Sequence, residues 1–215
     1  MRTALLLILA ASSAFADAPL DLAPLKKWLS RQDEFRSVAA DFTQTRALRV
    51  LRDPVATPGR LWFTAAGSLR WELGTPPKTI VLRKADSLYI INPAKKTAER
   101  QPADRAGAPG MAMMRFPLAK DFADFQRQFS VLALSAVDSR THIEFAPRDG
   151  QAKKFLKLMK LDFDADTGHL LALEMSFKDG SSMRNEFSNV RVNQKFDRGT
   201  FEYDLSGYEV KDGGE

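Results

Sequence analysis

The 215-residue sequence predicts a mainly β fold with a helical lid (α+β). We expect a curled antiparallel sheet, or incomplete β-barrel, of about ten or eleven strands over an apolar cavity. Apolar and polar residues alternate with a period of two along most of the chain, as in strands with one buried face. Turn-forming residues interrupt the alternation at spacings of roughly ten residues, which is typical of an antiparallel meander. Two segments depart from this pattern, one near the N-terminus and one in mid-chain, and both are predicted to be helical.

The first sixteen residues have the three parts of a secretory signal peptide. Arg2 gives a positive start, residues 4–11 are apolar, and residues 14–16 (Ala-Phe-Ala) match the small-x-small site read by signal peptidase. The apolar run is too short to span a bilayer as a helix. We therefore expect a signal peptide over residues 1–16 and a single exported domain over residues 17–215. Because no cysteine follows the run, we expect the mature N-terminus not to be lipidated.

The composition excludes several classes of function. Hydrophobic residues make up 44% of the chain and charged residues 27%, as in an ordinary folded domain. The lack of cysteine excludes thiol nucleophiles, and the two histidines, His142 and His169, are too far apart for a short metal motif. The formal net charge of +5 is spread among acidic residues, so nucleic acid is not an expected partner. We expect no metal and no cofactor.

The N-terminal helix is predicted from apolar residues spaced by three and four positions. Asp21 is the expected N-cap, and Pro24 falls in the first turn. The stripe consists of Leu22, Leu25, Trp28 and Leu29. The second helical segment is predicted between residues 104 and 127, where three of the seven methionines fall within four residues. Thioether side chains suit an adaptable apolar surface.

Period-two alternation accounts for the rest of the chain. The predicted strands lie at residues 37–48, 61–64, 69–73, 79–82, 88–91, 129–134, 141–145, 155–163, 170–177, 183–190 and 201–205. A sheet of this length curls because its strands twist, so its apolar face becomes the wall of a concave pocket. The helical segments are the candidate lid.

The candidate cavity and lid residues are the apolar side chains that strand phase turns inward, together with those of the helical segments. They are Trp28, Phe42, Leu61, Phe63, Trp71, Met111, Met113, Met114, Phe116, Met159, Leu161, Phe163, Met175, Phe177 and Phe187. The alternative is that these side chains fill a solid core, as most apolar stripes do.

No pattern of catalytic residues competes with the cavity. No nucleophile elbow, P-loop or Gly-x-Gly-x-x-Gly motif follows a predicted strand. The alternating Asp162, Asp164 and Asp166 suggest a calcium loop, but Thr167 and Leu173 stand where such a loop has its glycine and glutamate. We therefore expect a binding protein without catalytic residues rather than an enzyme.

Short motifs along nearly the whole chain resemble a known family. They are Phe-Thr-Gln at 42–44, Gly-Arg-Leu-Trp-Phe at 59–63, Leu-Arg-Trp at 69–71, Pro-Pro at 76–77, Asp-Ser-Leu-Tyr at 86–89, Asn-Pro at 92–93, Phe-Ser-Asn-Val at 187–190 with Asn193, and Phe-Glu-Tyr at 201–203. Their order and spacing are similar to those of the periplasmic outer-membrane lipoprotein carriers (LolA-like) of Gram-negative bacteria.

The resemblance implies an open β-barrel that holds the acyl chains of a lipoprotein. Such a carrier is a monomer that receives its cargo from an inner-membrane lipoprotein-releasing transporter and passes it to an outer-membrane lipoprotein receptor. The receptor branch has a lipidated N-terminal cysteine, so the absence of cysteine places this chain with the carriers. Two alternatives stay open: a periplasmic carrier of another acylated lipid or glycolipid, and a lipid-sensing regulatory module that binds a protein partner.

Two family features map onto the hairpin near residue 65. The carriers have an arginine there that holds the lid shut, and Ala65 stands at its position in this chain. Arg60 or Arg70 could replace it if strand phase turns one of them inward. The apolar side chain that contacts the transporter or receptor in the family matches Leu69, followed by Arg70.

Overall fold

The computed structural model describes residues 20–84, 86–102, 119 and 121–213. Two sets of predicted residues lie outside this part of the chain: the signal peptide, and the lid residues Met111, Met113, Met114 and Phe116.

Twelve strands form one sheet in the described part of the chain, and three α-helices accompany them. The helices are α1 (Ala23–Gln32), α2 (Phe122–Gln128) and α3 (Ala152–Phe155). The strands are β1 (Ser37–Ala47), β2 (Val55–Thr64), β3 (Leu69–Leu73), β4 (Thr79–Lys84), β5 (Ser87–Asn92), β6 (Thr97–Pro102), β7 (Phe129–Val137), β8 (Arg140–Pro147), β9 (Leu156–Asp164), β10 (Leu170–Phe177), β11 (Ser182–Val192) and β12 (Glu209–Asp212).

The strand order is β12-β6-β5-β4-β3-β2-β1-β11-β10-β9-β8-β7. Neighbouring strands are antiparallel except for β12, which pairs in parallel with β6 at one edge. The other edge is β7, so the sheet curls without closing into a barrel. This confirms the predicted fold class, with twelve strands in place of ten or eleven.

The structure differs from the prediction in three places: two strands are missed and one predicted strand is wrong. The sequence of β6, Thr-Ala-Glu-Arg-Gln-Pro, lacks apolar alternation and does not predict a strand. The short strand β12 has four exposed residues and carries no burial signal. Residues 201–205 do not form a strand, because Phe201 ends a 3₁₀-helix and the following residues pack across a face of the sheet.

Helix α1 packs its apolar stripe against the sheet. Leu25, Trp28 and Leu29 are buried, and the Trp28 ring stacks on Phe163 with 4.9 Å between ring centroids. Leu22, not Asp21, occupies the N-cap position, although the Asp21 carboxylate accepts a hydrogen bond of 2.9 Å from the Ala23 N–H. We call the face of the sheet that carries α1 and α2 the inner face.

Two apolar clusters lie on opposite faces of the sheet. The larger cluster joins α1 and α2 to the inner face, where Phe125 of α2 is fully buried. The smaller cluster is on the outer face of β4, β5 and β6, around Ile80, Leu82 and Ile91. Strand alternation separates the two, since Val81 belongs to the inner cluster and its neighbours to the outer one.

Candidate functional site

An apolar cavity of about 310 Å³ lies between the C-terminal end of α1 and the inner face of the sheet. Fourteen of its seventeen lining residues are apolar. The apolar residues are Phe35, Val38, Ala40, Leu61, Phe63, Ala65, Leu69, Trp71, Ala119, Leu170, Leu173, Phe187, Val190 and Val192. The polar residues are Gln32, Asp33 and His169. Apolar walls with few polar groups are typical of sites for hydrocarbon ligands.

Three aromatic rings meet at the base of the cavity. The centroid of Phe42 lies 4.0 Å from that of Trp71, and Phe187 lies 6.3 Å from Trp71. The ring of Phe42 occupies the space above Gly59 on β2, where the Cβ atom of any other residue would overlap it. A glycine at position 59 therefore allows the Phe42 ring to lie against β2.

Helix α1 is fastened beside the cavity by hydrogen bonds to the turn between β9 and β10. Trp28 Nε1 donates to the Gly168 carbonyl at 2.9 Å, and Gln32 Nε2 donates to the same oxygen at 3.1 Å. Arg31 donates to the carbonyls of Ala165 and Asp166 at 3.1 and 2.5 Å. These bonds fix the position of the helix that forms one wall of the cavity.

The turn that receives α1 is itself well ordered by hydrogen bonds. The carboxylate of Asp164 accepts bonds from the backbone N–H groups of Thr167 and Asp166 and from the hydroxyls of Ser139 and Thr167. These bonds, that of the Thr167 N–H above all, lower the pKa of Asp164 because they favour its charged form. The acidic run at 162–166 thus includes a turn cap, the simpler alternative to a calcium loop.

The structure divides the predicted acyl-binding residues into two groups. Leu61, Phe63, Trp71 and Phe187 line the cavity. The others in the described part of the chain belong to the packed cluster on the inner face; they are Trp28, Phe42, Met159, Leu161, Phe163, Met175 and Phe177. Both sequence alternatives therefore apply, since one end of the inner face borders a cavity and the other is solid core.

The β2–β3 hairpin places the remaining predicted residues on its two faces. Leu69 lies in the cavity wall with 1% of its surface exposed. Arg60 and Arg70 lie on the outer face, where both pair with Glu72, at 2.9 and 2.7 Å. Neither arginine points into the cavity. Ala65 lies at the cavity edge, and its methyl side chain cannot form a hydrogen bond or ion pair with a lid.

Sequence reasoning missed several lining residues, and a β-bulge explains two of them. The register between β1 and β11 shifts by one residue between Ala39 and Asp41. On β11 this shift turns Val190 and Val192 to the same inner face as Phe187. In a strand without a bulge, residues an odd number of positions apart lie on opposite faces. Asn189 lies at this irregularity with a φ of 50°, a conformation that asparagine tolerates better than most residues. The asparagine is the one local signal of the bulge.

Two further features, a metal site and a membrane-spanning helix, are not found among the described residues. Among them, no three histidine, aspartate or glutamate side chains come together as a metal site would require. None of their helices is long and apolar enough to cross a membrane.

Comparisons with known proteins show what this chain is similar to. An outer-membrane lipoprotein carrier protein from Dechloromonas aromatica (strain RCB) is 21% identical over 169 residues, which cover 78% of this chain and 77% of that protein. The crystal structure of an uncharacterized conserved protein from Thermus thermophilus has a TM-score of 0.54, with 7% identity, over 88% of this chain and 96% of that chain. A LolA superfamily protein from Nitrosomonas europaea covers 82% of this chain and 96% of its own, with 13% identity and a TM-score of 0.41.

A family model also matches most of the chain. Residues 33–204 match the family described as "Outer membrane lipoprotein carrier protein LolA", a range that includes every strand except β12. It confirms the resemblance that the short motifs indicate. The chain belongs to the LolA family of outer-membrane lipoprotein carrier proteins.

Proposed function

We propose that this protein is a periplasmic carrier that binds the acyl chains of lipoproteins in its apolar cavity and shuttles them from the inner to the outer membrane. The observation that carries the proposal is the apolar cavity beneath α1, in a chain of this family. The N-terminal signal pattern supports export to the periplasm. The partners are an inner-membrane lipoprotein-releasing transporter and an outer-membrane lipoprotein receptor, and no cofactor takes part.

The energetics suit reversible binding of an acyl chain. Burial of a CH₂ group is worth about 0.8 kcal/mol, so a chain of ~16 carbons gains roughly 12 kcal/mol when it leaves water. A carrier needs an affinity for the acyl chain that is similar to the affinities of its donor and its acceptor. An apolar cavity without directional hydrogen bonds provides this.

Entry of a full acyl chain requires α1 to move. The cavity of about 310 Å³ is at the lower end of the ~300–1,000 Å³ range of small-molecule pockets, so it holds only part of a long chain. We infer that α1 is the wall that moves, and that its hydrogen bonds from Trp28, Arg31 and Gln32 to the β9–β10 turn break when the cavity opens. With Ala65 at the family's latch position, these bonds take over the role of the arginine.

Native mass spectrometry of the protein isolated from the periplasm tests the proposal. We expect the wild-type protein to carry an acylated lipoprotein, whereas Ala40→Leu, which extends a buried side chain into the cavity, should carry much less. Ala136→Leu on the exposed face of β7 is the matched control and should bind as the wild type does.

Circular dichroism would establish that both variants are folded. Equal occupancy of Ala40→Leu and the wild type would contradict binding in this cavity. Co-purification of free lipid or glycolipid without lipoprotein would favour the alternative cargo.

A further inference from the structure

The loop between β1 and β2, residues 48–54, exposes a cluster of large apolar side chains. Val50 is 88% exposed, Leu51 45% and Leu48 36%, and Val55 at the start of β2 is 48% exposed. Every residue from 48 to 56 is exposed, so no other described part of the chain covers this loop. Isolated exposed apolar residues are common in soluble proteins, but a group of four at one tip indicates a contact surface.

Arginines alternate with the apolar residues of this loop. The run from Arg46 to Arg52 reads Arg-Ala-Leu-Arg-Val-Leu-Arg, and Arg46, Arg49 and Arg52 are all exposed. A tight turn closes the loop through a hydrogen bond of 2.9 Å from the Leu51 N–H to the Leu48 carbonyl. The turn holds hydrophobic and cationic side chains together at one protruding tip.

The tip continues into a wider surface across neighbouring strands. Ala47 pairs with Ser182, which brings the β1–β2 loop next to the β10–β11 turn at residues 178–181. That turn contacts the segment before β9, because the Lys178 N–H donates to the Phe155 carbonyl at 2.8 Å. Phe155 is 50% exposed and follows Lys153 and Lys154.

Charge is distributed unequally between the two ends of the sheet. We call one end the basic end; it consists of the loops at 48–54, 74–78, 93–96 and 178–181 and the segment at 148–155, which includes α3. Together these five segments contain nine lysines and arginines and three aspartates. The described residues of the loops at the opposite end contain two basic and six acidic residues; these loops are 33–36, 65–68, 86, 138–139, 165–169 and 193–197. The cavity lies toward the acidic end, beside Asp33, Phe35 and His169.

We propose that the basic end docks on an anionic phospholipid bilayer, with the apolar tip of the β1–β2 loop inserted among the headgroups. Apolar side chains gain free energy at the headgroup boundary, while arginines beside them bind lipid phosphates. We favour a bilayer over an acidic protein because Val50 and Leu51 lie among arginines at the tip of one exposed loop, an arrangement that suits the headgroup boundary. Docking in this orientation turns the cavity rim toward the aqueous phase, where a partner protein can reach it.

Vesicle co-sedimentation tests the electrostatic part of the proposal. The purified protein should bind vesicles of phosphatidylcholine mixed with phosphatidylglycerol and should bind pure phosphatidylcholine far less. Binding should weaken as salt is raised. Arg49→Gln/Arg52→Gln should weaken it about twenty-fivefold, at about fivefold per arginine. Arg140→Gln/Lys195→Gln removes the same charge from exposed sites at the acidic end and should weaken it less than about threefold.

Site-specific fluorescence tests the insertion. Because the chain has no cysteine, Val50→Cys gives a single site for a polarity-sensitive dye. The control is Val137→Cys, whose valine is 71% exposed at the other end of the sheet. We expect a blue shift with anionic vesicles for the label at 50 and none for the label at 137. All variants share the same N-terminus, so residues 1–19 contribute equally to each.

Three results would overturn the proposal. They are equal binding by the two double variants, equal shifts at the two labels, and no preference for anionic lipid. The first two results would show non-specific adsorption. The third would favour an acidic protein over a lipid bilayer as the partner of the basic end. The tests of lipid docking and of acyl-chain carriage are independent of each other. Ala40→Leu alters the cavity and leaves the basic end intact, whereas the arginine variants alter the basic end and leave the cavity intact.

Discussion

The outer face of the sheet is built in two different ways in its two halves. On β4, β5 and β6 it is apolar, and the C-terminal segment covers it: Phe201, Tyr203, Leu205 and Tyr208 pack on Ile80, Leu82, Ile91 and Ala98. On β8 to β11 the same face carries charged side chains. Both halves share one continuous inner face, so the difference concerns only how each half meets water.

The charged half forms a ladder of ion pairs across four strands. Asp162 lies at its centre, 2.5 Å from His142 Nδ1 and 3.0 Å from Arg184. Arg184 also contacts Glu174 at 3.5 Å and Glu186 at 3.3 Å. Cross-strand pairs of opposite charge stabilise a sheet by small amounts each, whereas burial of apolar surface contributes more. We therefore expect the covered half to contribute more to stability than the ladder.

Replacement of Ile91 by alanine should cause the largest loss. Ile91 is fully buried in the outer cluster of β4 to β6, so Ile91→Ala removes apolar contacts and leaves a void. The expected decrease in the free energy of unfolding is about 2–4 kcal/mol, measured by urea denaturation. Leu132→Ala on β7 is the matched control, since Leu132 is 56% exposed and should cost under ~0.5 kcal/mol. Equal losses would mean that the C-terminal segment does not shield the cluster.

Replacement of Asp162 by asparagine should have a smaller effect that depends on pH. The variant loses the charge that His142 and Arg184 contact, but Arg184 keeps Glu174 and Glu186. We expect a decrease of about 1 kcal/mol at neutral pH in urea denaturation.

The sign of the pH dependence follows from the pKa of Asp162. Partial burial alone would raise this pKa, but hydrogen bonds and the charges of His142 and Arg184 outweigh burial and lower it. A lowered pKa stabilises the folded state above the unfolded value of about 3.9, and the contribution is lost as pH falls through the folded value. The difference between wild type and Asp162→Asn should therefore shrink below about pH 4. An unchanged difference at low pH would show that the ladder acts through packing and not through charge.

The two halves also explain which parts of the fold could be predicted from the sequence. Strand β9 alternates cleanly, with Lys160 and Asp162 between inward apolar residues, because one of its faces meets water. Strand β4 reads as a short apolar run, since Ile80 and Val81 are buried on opposite faces. The alternation of residues 201–205 predicts a strand, but it reflects packing of this segment across the sheet, which depends on contacts distant in sequence.

The candidate site could be predicted only in part for the same reason. Strand phase turns Leu61 and Phe63 inward, and in the structure both lie in the cavity wall. It does not show that Phe163 and Met175 fill solid core, because that depends on where α1 crosses the sheet. The inward turn of Val190 depends on the bulge between β1 and β11, and that is a property of two strands far apart in the chain.

Replacement of Tyr208 by phenylalanine should have the smallest effect on stability. It tests a hydrogen bond within the C-terminal segment that covers the apolar half of the outer face. The hydroxyls of Tyr203 and Tyr208 lie 2.7 Å apart, and this hydrogen bond, with a contribution from burial, raises the pKa of Tyr203 to about 12. In Tyr208→Phe we expect the pKa of Tyr203 to return toward its usual value of about 10. The free energy of unfolding should fall by about 0.5–1 kcal/mol, because only a partly exposed hydrogen bond is lost.

Ultraviolet titration measures this change directly, since the chain has only three tyrosines, Tyr89, Tyr203 and Tyr208. The raised pKa also gives the sign of the effect at high pH: the stabilisation is present below about pH 10 and is lost as pH rises toward 12. If Tyr203 titrated normally in the wild type, its hydroxyl would not be hydrogen-bonded to that of Tyr208 as described. The packing of the covering segment on Ile80, Leu82 and Ile91 would then be tested by Ile91→Ala alone.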